Sequence, residues 1–239
     1  ISARLERIFN RRNIKIYTGT QVQGIKKLHD EVELTLGSHE TLKAEKILVC
    51  MGRKLDAANV HLDYAGVFCD KGWICVNEYG QTNQNHVYAV GDCTGSAFYA
   101  HAASYAAKRI VENMYSTPKK ISFAYVPGGI FTYPQIASVG ITEDRAQQQG
   151  IEINIVRLPF QMLGIAQVTG ETEGFIKLIA DKNKQYLLGA HIMGDEAVDL
   201  ITPVTIAVQN KIPLEQLRDI ICAHPTRSEI LSEAWELMK

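Results

Sequence analysis

Long apolar runs are missing from this chain of 239 residues, and no stretch reaches the length a helix needs to span a bilayer. The opening Ile1-Ser2-Ala3-Arg4 has none of the charged-then-apolar architecture of a secretory leader, so a membrane or secreted setting is not expected. An excess of either charge is missing too. A net charge of -1 leaves no basic field to attract nucleic acid or an anionic membrane. Cysteine is sparse: Cys50, Cys69, Cys75, Cys93 and Cys222 make an odd set with no C-x-x-C pair and no metal-ligand spacing. That pattern fits structural thiols in a reducing cytoplasm and predicts no metal site. No G-x-G-x-x-G follows a strand, so nothing here can hold a dinucleotide pyrophosphate on a helix N-terminus. The chain also starts without methionine, from which we expect a processed or truncated polypeptide.

What is present reads as a soluble globular protein, with 46% hydrophobic and 21% charged residues, long enough for one large domain or two ordinary ones. Residues 2–12 show helical spacing, and 14–17, 22–28 and 32–36 show strand character, the last followed by a turn at Gly37-Ser38-His39 into another short strand. Residues 45–51 look like a buried strand ending in Gly52-Arg53. Residues 73–76 and 86–92 follow as strands, the second ending in Gly91-Asp92. An Ala-rich helix over 102–114 leads into the polar stretch 115–120, where we expect a domain boundary. Beyond it, Thr142 reads as the N-cap of a helix ending near Gly150, with strands at 151–158, 174–180 and 187–193. Helices are predicted over 196–210, with Pro203 expected to kink it or open a backbone bond, after Pro213, and over 228–238. This second half is predicted to be a meandering sheet with helices on one face, an α+β unit.

The densest chemistry lies in Ala223-His224-Pro225-Thr226-Arg227-Ser228-Glu229. The proline pushes His224 toward extended backbone and admits a cis bond. Histidine is the side chain whose unperturbed pKa lies nearest physiological pH, and a neighbouring carboxylate can fix its tautomer and stabilise the imidazolium. His224 and Glu229 therefore make a candidate general base and its orienting partner. The alternative stays open: Thr226-x-x-Glu229 ahead of Ile230 and Leu231 is also a capping box that merely starts the last helix.

Three blocks in order carry a family resemblance: Val90-Gly91-Asp92-Cys93-Thr94-Gly95 with Ala100-His101, Val126-Pro127 through Phe131-Thr132-Tyr133-Pro134 to Thr142-Glu143, and His224-Pro225-Thr226-x-Ser228-Glu229. Together the chain resembles the C-terminal half of the flavin-dependent disulfide oxidoreductases across nearly its whole length. Ala137-Ser138-Val139-Gly140 and Gly174-Phe175-Ile176-Lys177 look more like the dihydrolipoamide dehydrogenase branch than the glutathione reductase branch. His224 argues against the mercuric reductase and soluble transhydrogenase branches. Leu55-Asp56, Ala106 and Gln135 depart from the usual pattern of the family.

The resemblance implies an α/β part, the tail of FAD/NAD(P)-binding Rossmann-like domains, followed by an α+β interface domain. The implied division is 1–53 for the end of an NAD-binding domain, 54–120 for a returning part of an FAD-binding domain, and 121–239 for a dimerisation domain. It implies FAD and NAD as cofactors, with Asp92 on the ribityl chain and the helix start around Phe98, Tyr99, Ala100 and His101 facing the flavin pyrimidine edge. Gly52 would let backbone approach the nicotinamide dinucleotide. The implied reaction is oxidation of dihydrolipoamide to lipoamide, with electrons passing by a cysteine pair and FAD to NAD+. The implied partners are a second copy of the chain and components of a 2-oxo acid dehydrogenase complex. The glycine fingerprints and the cysteine pair are not in these residues, so the chain alone is expected to be inactive. Apolar helix residues Leu200, Ile201, Val204 and Val208 are expected to need burial from a second copy. A reductase for glutathione or another disulfide, and a purely structural dimerisation module, remain the rival readings.

Overall fold

The computed structural model describes residues 1–56 and 59–238, which divide into two compact units, Ile1–Arg53 and Lys54–Lys239. The first holds helix α1 (Ser2–Arg11) and an antiparallel sheet of β1 (Val22–Lys27), β2 (Val32–Leu36) and β3 (Thr41–Ala44) in that order. Strands form where they are expected at 22–28 and 32–36, although only β3 alternates between exposed and half-buried residues. Two predicted strands are absent. Residues 14–17 and 45–51 are irregular, and Leu48 and Met51 are each 88% exposed. A strand needs a neighbour to take its backbone N–H and C=O groups, and neither apolar run has one among the described residues.

The second unit opens with a two-stranded ribbon, β4 (Cys69–Asp70) and β5 (Trp73–Ile74), and helix α2 (Ala100–Tyr115). The strand predicted over 86–92 is reduced to one bridge, Gln81 to Tyr88, followed by a 3-10 turn over Asp92–Thr94. Local bonds explain the loss: Thr82 N–H donates to the Val87 carbonyl and Ala89 N–H to the Gly80 carbonyl, closing the segment on itself.

Five antiparallel strands form the main sheet: β6 (Gly128–Ile130), β7 (Gln135–Gly140), β8 (Ile153–Pro159), β9 (Phe175–Asp181) and β10 (Leu187–Gly194), ordered β6-β7-β10-β9-β8. The predicted meander is therefore only β8-β9-β10. The hairpin β6-β7, which periodicity alone did not reveal, completes the sheet on the free edge of β10. Helices α3 (Glu143–Gln148), α4 (Gly164–Thr169), α5 (Ala197–Gln209), α6 (Leu214–Arg218) and α7 (Glu229–Leu237) fill the connections and the C-terminus. The Thr142 hydroxyl accepts from the Arg145 amide at 3.2 Å, the predicted N-cap, and Gly150 lies just past the helix end with φ +65°.

Alternation sorts the sheet into two faces. Ala137, Val139, Ile176, Leu178, Ala190 and Ile192 pack with Leu200, Ile201, Val204 and Val208 of α5 and with Ile230, Leu231 and Trp235 of α7 in one core. Each such aliphatic side chain contributes about 1.5–3 kcal/mol relative to exposure. This corrects the dimer argument drawn from α5: its apolar stripe is satisfied within the unit, each of those four residues being 5% exposed or less. The apolar groups left in water are others, among them Phe131, Val168, Ile206 and Ile221. Helix α5 runs unbroken through Pro203, and the Thr205 hydroxyl donates to the Ile201 carbonyl at 2.8 Å.

The opposite face carries Ser138, His191, Lys177 and Arg157 side by side across β7, β10, β9 and β8. Glu143 accepts from both Lys177 and Arg157 at 2.6 Å. His191 Nε2 donates to the Ile141 carbonyl at 3.3 Å. Burial, and then the Lys177 charge, holds the His191 imidazole below the ordinary histidine range. The unfolded chain therefore takes up this proton first, and stability falls as pH drops through that ordinary range, the loss ending below the depressed folded value. Replacing His191 by Gln should flatten this part of the curve. Urea midpoints measured at about pH 7.5 and about pH 5.5 should lie closer together in H191Q than in the parent, and equal spacing would exclude His191 as the source.

Candidate functional site

Helix α7 starts at Glu229 with Ser228 as N-cap, and the Ser228 side chain makes no capping bond. Glu229 does that task from inside the helix. Its Oε2 accepts from the Thr226 amide at 2.9 Å, while Oε1 lies 2.7 Å from His224 Nδ1. The Thr226 hydroxyl turns away and donates to the Ala223 carbonyl at 2.7 Å, so the reciprocal half of a capping box is not made. The His224–Pro225 peptide is cis.

The electrostatics of this turn set the tautomer. The hydrogen bond from His224, followed by the one from the Thr226 amide, holds the Glu229 carboxyl below the ordinary carboxylate range. An ionised carboxylate only accepts, so Nδ1 is the donor, and in the neutral ring Nε2 carries the lone pair. Nε2 has no partner among the described residues, and the His224 side chain is 77% exposed against 25% for Glu229. The result is a base whose free nitrogen faces outward and whose other nitrogen is held by an anion. Such a group can take a proton from an incoming acid and keep the imidazolium paired.

A second cluster forms where α2 meets the β6 strand. Tyr99 is the N-cap residue of α2 without a side-chain cap, and the first turn holds no acidic residue. The amides at the start of this 16-residue helix are thus directed outward, with the positive end of its dipole. Tyr99 stacks on His101 at 5.1 Å between ring centroids, and His101 Nε2 donates to the Pro127 carbonyl at 2.9 Å. Phe98 meets Trp73 edge-on at 5.3 Å. A cavity of about 480 Å³ is lined by Phe98, Tyr99, Ala100 and His101 with Gly128, Gly129, Phe131, Val198, Ile201 and Thr202. A Cβ at Gly128 would lie 2.8 Å from the Tyr99 hydroxyl, so the glycine lets that ring end sit against β6. Asp92 does not line this cavity. It opens the 3-10 turn after Gly91, whose φ of +82° permits the bend, and Gly91 borders a separate cleft of about 240 Å³. Gly52, with φ +102°, belongs to the first unit.

Outward-facing amides, stacked aromatics and a glycine-lined wall suit a flat, electron-rich ring. The five cysteines are unbridged, and burial pushes Cys93 and Cys222 up, away from the reactive thiolate.

Residues 1–112 match the pyridine nucleotide-disulphide oxidoreductase family, and residues 126–235 match the dimerisation domain of the same family. The chain belongs to the pyridine nucleotide-disulphide oxidoreductases, with the fold of their FAD/NAD-binding and dimerisation domains. Among its relatives, a dihydrolipoyl dehydrogenase of Chlamydia muridarum is 37% identical over 227 residues, covering 95% of this chain and 49% of that protein. A dihydrolipoyl dehydrogenase of Bacillus subtilis is 34% identical over 98% of this chain and 51% of its own length. The chain thus spans about half the length of the curated relatives it matches. Among solved structures, the HOCl-induced flavoprotein disulfide reductase RclA of Escherichia coli superposes with a TM-score of 0.94 at 26% identity, over 100% of this chain and 55% of that one.

Sequence reasoning passed over two groups. Gly128, Gly129, Val198 and Ile201 line the cavity, and only the β6 strand's approach to α2 and α5 makes that visible. Arg227 was read as the variable position inside the His224 motif. It is 8% exposed and donates to Asp195, at the end of β10, and to Thr169, the last residue of α4. No local signal distinguishes such an arginine from a solvated one.

Proposed function

We propose that this chain supplies the proton-transfer pair and part of the flavin site of an NAD-dependent dihydrolipoamide dehydrogenase. One observation carries the reading: Glu229 holds His224 Nδ1 at 2.7 Å and leaves Nε2 open. The dihydrolipoyl dehydrogenases among its relatives support the choice of substrate. His224 Nε2 takes a proton from one thiol of dihydrolipoamide, and Glu229 keeps the resulting imidazolium paired. The thiolate so formed is the species competent to attack a disulfide sulfur, and that attack displaces the other sulfur as a thiolate. The second dithiol sulfur then closes lipoamide by displacing the enzyme sulfur, which leaves the cysteine pair implied by the family reduced; FAD would supply the two-electron acceptor that restores its disulfide, with NAD+ as the final acceptor. Asp92 would hold the FAD ribityl hydroxyls, the α2 start from Phe98 to His101 its pyrimidine edge, and Gly52 would let backbone approach NAD.

In this reading, 1–53 ends an NAD-binding domain, 54–120 is a returning part of an FAD-binding domain, and 121–239 is the interface domain. The dimerisation-domain match and the exposed Phe131, Val168, Ile206 and Ile221 support a homodimer in which His224 serves the partner's active site. Dihydrolipoamide as substrate implies 2-oxo acid dehydrogenase components as further partners, in the cytoplasm.

In the holoenzyme containing this chain, His224→Gln should slow dihydrolipoamide turnover by roughly 10²–10⁴, the range of a lost general acid–base. Transfer from NADH to an artificial dye should survive, since it needs no proton from a dithiol. Glu229→Gln should produce a milder loss of the same kind. If dihydrolipoamide turnover survives H224Q while E229Q melts α7, as followed by circular dichroism, the turn is only a helix cap. The 239 residues expressed alone should hold no flavin, because they lack a pyrophosphate fingerprint; stoichiometric flavin absorbance in that material would refute this. Sedimentation of the same material at micromolar concentration should show a dimer, and a clean monomer would count against the interface.

A further inference from the structure

The turn that carries His224 is knitted together by bonds that stay within itself. His224 to Glu229, the Thr226 amide to Glu229, the Thr226 hydroxyl to Ala223 and Cys222 Sγ to the Ser228 carbonyl all close within six residues of sequence. These bonds preserve the shape of the turn. They say nothing about where the turn stands on the domain. Arg227 supplies the only side-chain hydrogen bonds from 222–229 to distant elements among the described residues. They reach Asp195, 32 residues away at the end of β10, and Thr169, 58 residues away at the end of α4.

We infer that Arg227, held by Asp195 and Thr169, is a positioning residue that sets the location of His224 for proton transfer. This rests on the reading of His224 as the base. The side chain of Arg227 is 8% exposed and that of Asp195 28%, so the pair is shielded from the water that weakens surface ion pairs. Its two anchors stand on different elements, which fixes both the distance and the direction of the tether. The anchoring strand is itself rigid: β10 is paired on both edges, and Gly194, the residue before Asp195, packs so closely on Phe160 that a Cβ would approach the ring to 2.3 Å. The Arg227 Nε is buried with no partner, so the guanidinium's hold depends on the bonds it makes through its NH2 nitrogen.

Ile230 and Leu231 hold the α7 end of the turn in the core, so loss of this tether frees the segment before Glu229 and shifts His224. A misplacement of a catalytic group by about 1 Å can cost on the order of 100-fold in rate. In the holoenzyme, Arg227→Met should therefore lower kcat for dihydrolipoamide by about 10-fold to 100-fold. NADH-to-dye transfer and the position of the pH–rate profile should not change. Asp195→Asn/Arg227→Met removes both charges together, avoids a buried unpaired ion, and should show the same loss in a folded protein. Asp195→Arg/Arg227→Asp restores the pair in reverse and should recover much of the rate. Parallel loss of dye-linked and dithiol-linked turnover in the double-neutral variant would make Arg227 a general stabiliser and overturn the inference. So would full dihydrolipoamide turnover in R227M when H224Q is slow, and that pattern leaves His224 standing as the base. Full turnover in H224Q removes the base itself, and the inference with it.

Discussion

The pairing of β10 on both of its edges is the constraint on which the C-terminal unit depends. Its residues alternate between Ala190 and Ile192, which enter the helix-covered core, and His191 and Met193, which face the other way. A slip of one residue would exchange those two sets and bring an imidazole into the apolar core. Close backbone packing guards against it. Gly189 has the Ile141 carbonyl oxygen 2.4 Å from where a Cβ would stand, and Gly140 has the Leu188 carbonyl oxygen at 2.1 Å. The strand then ends at Gly194, and the next residue, Asp195, is the acceptor for Arg227. Core register and the location of the candidate base are thus linked through a single strand end.

Glu229 shows why the helix-start and catalytic readings of the His224 turn are not exclusive. A carboxylate has two oxygens, and here one takes the orphan amide of Thr226 while the other takes His224. The amide bond alone satisfies a backbone group and would serve any helix. The second bond serves no purpose in capping, because an imidazole 77% exposed could be hydrated by water instead. Its consequence is chemical: it places the ring proton on Nδ1 and leaves Nε2 as the outward base.

What could be read from the sequence follows from how far each signal reaches. His224 with Glu229 is a contact across five residues, and Thr142 capping Arg145 is one across three, so both stood within the range of a motif. Strands β8, β9 and β10 fall where strands are expected, at 151–158, 174–180 and 187–193. The strands expected at 14–17 and 45–51 did not form because apolar periodicity reports a wish for a neighbour, not its presence. The α5 stripe misled in the opposite sense, since periodicity says that Leu200 and Val204 will be buried but not by what. Arg227 and the Gly128 wall were silent because their meaning lies in residues 29 or more positions distant, Asp195 and Tyr99.

Coulomb attraction between an imidazolium and its carboxylate falls several-fold between a partly shielded site and bulk water, so the open face of His224 limits what Glu229 can contribute. Phe131 and Ile221 stand uncovered in the same unit at 79% and 95% exposure, and burying such groups is favourable by itself. A second copy that covered these apolar groups and left His224 Nε2 open would add stability without closing off the base. The same geometry explains why the turn is tethered from below, through Arg227, rather than from above. In the proposed reaction the exposed face of His224 stays open to the incoming dithiol.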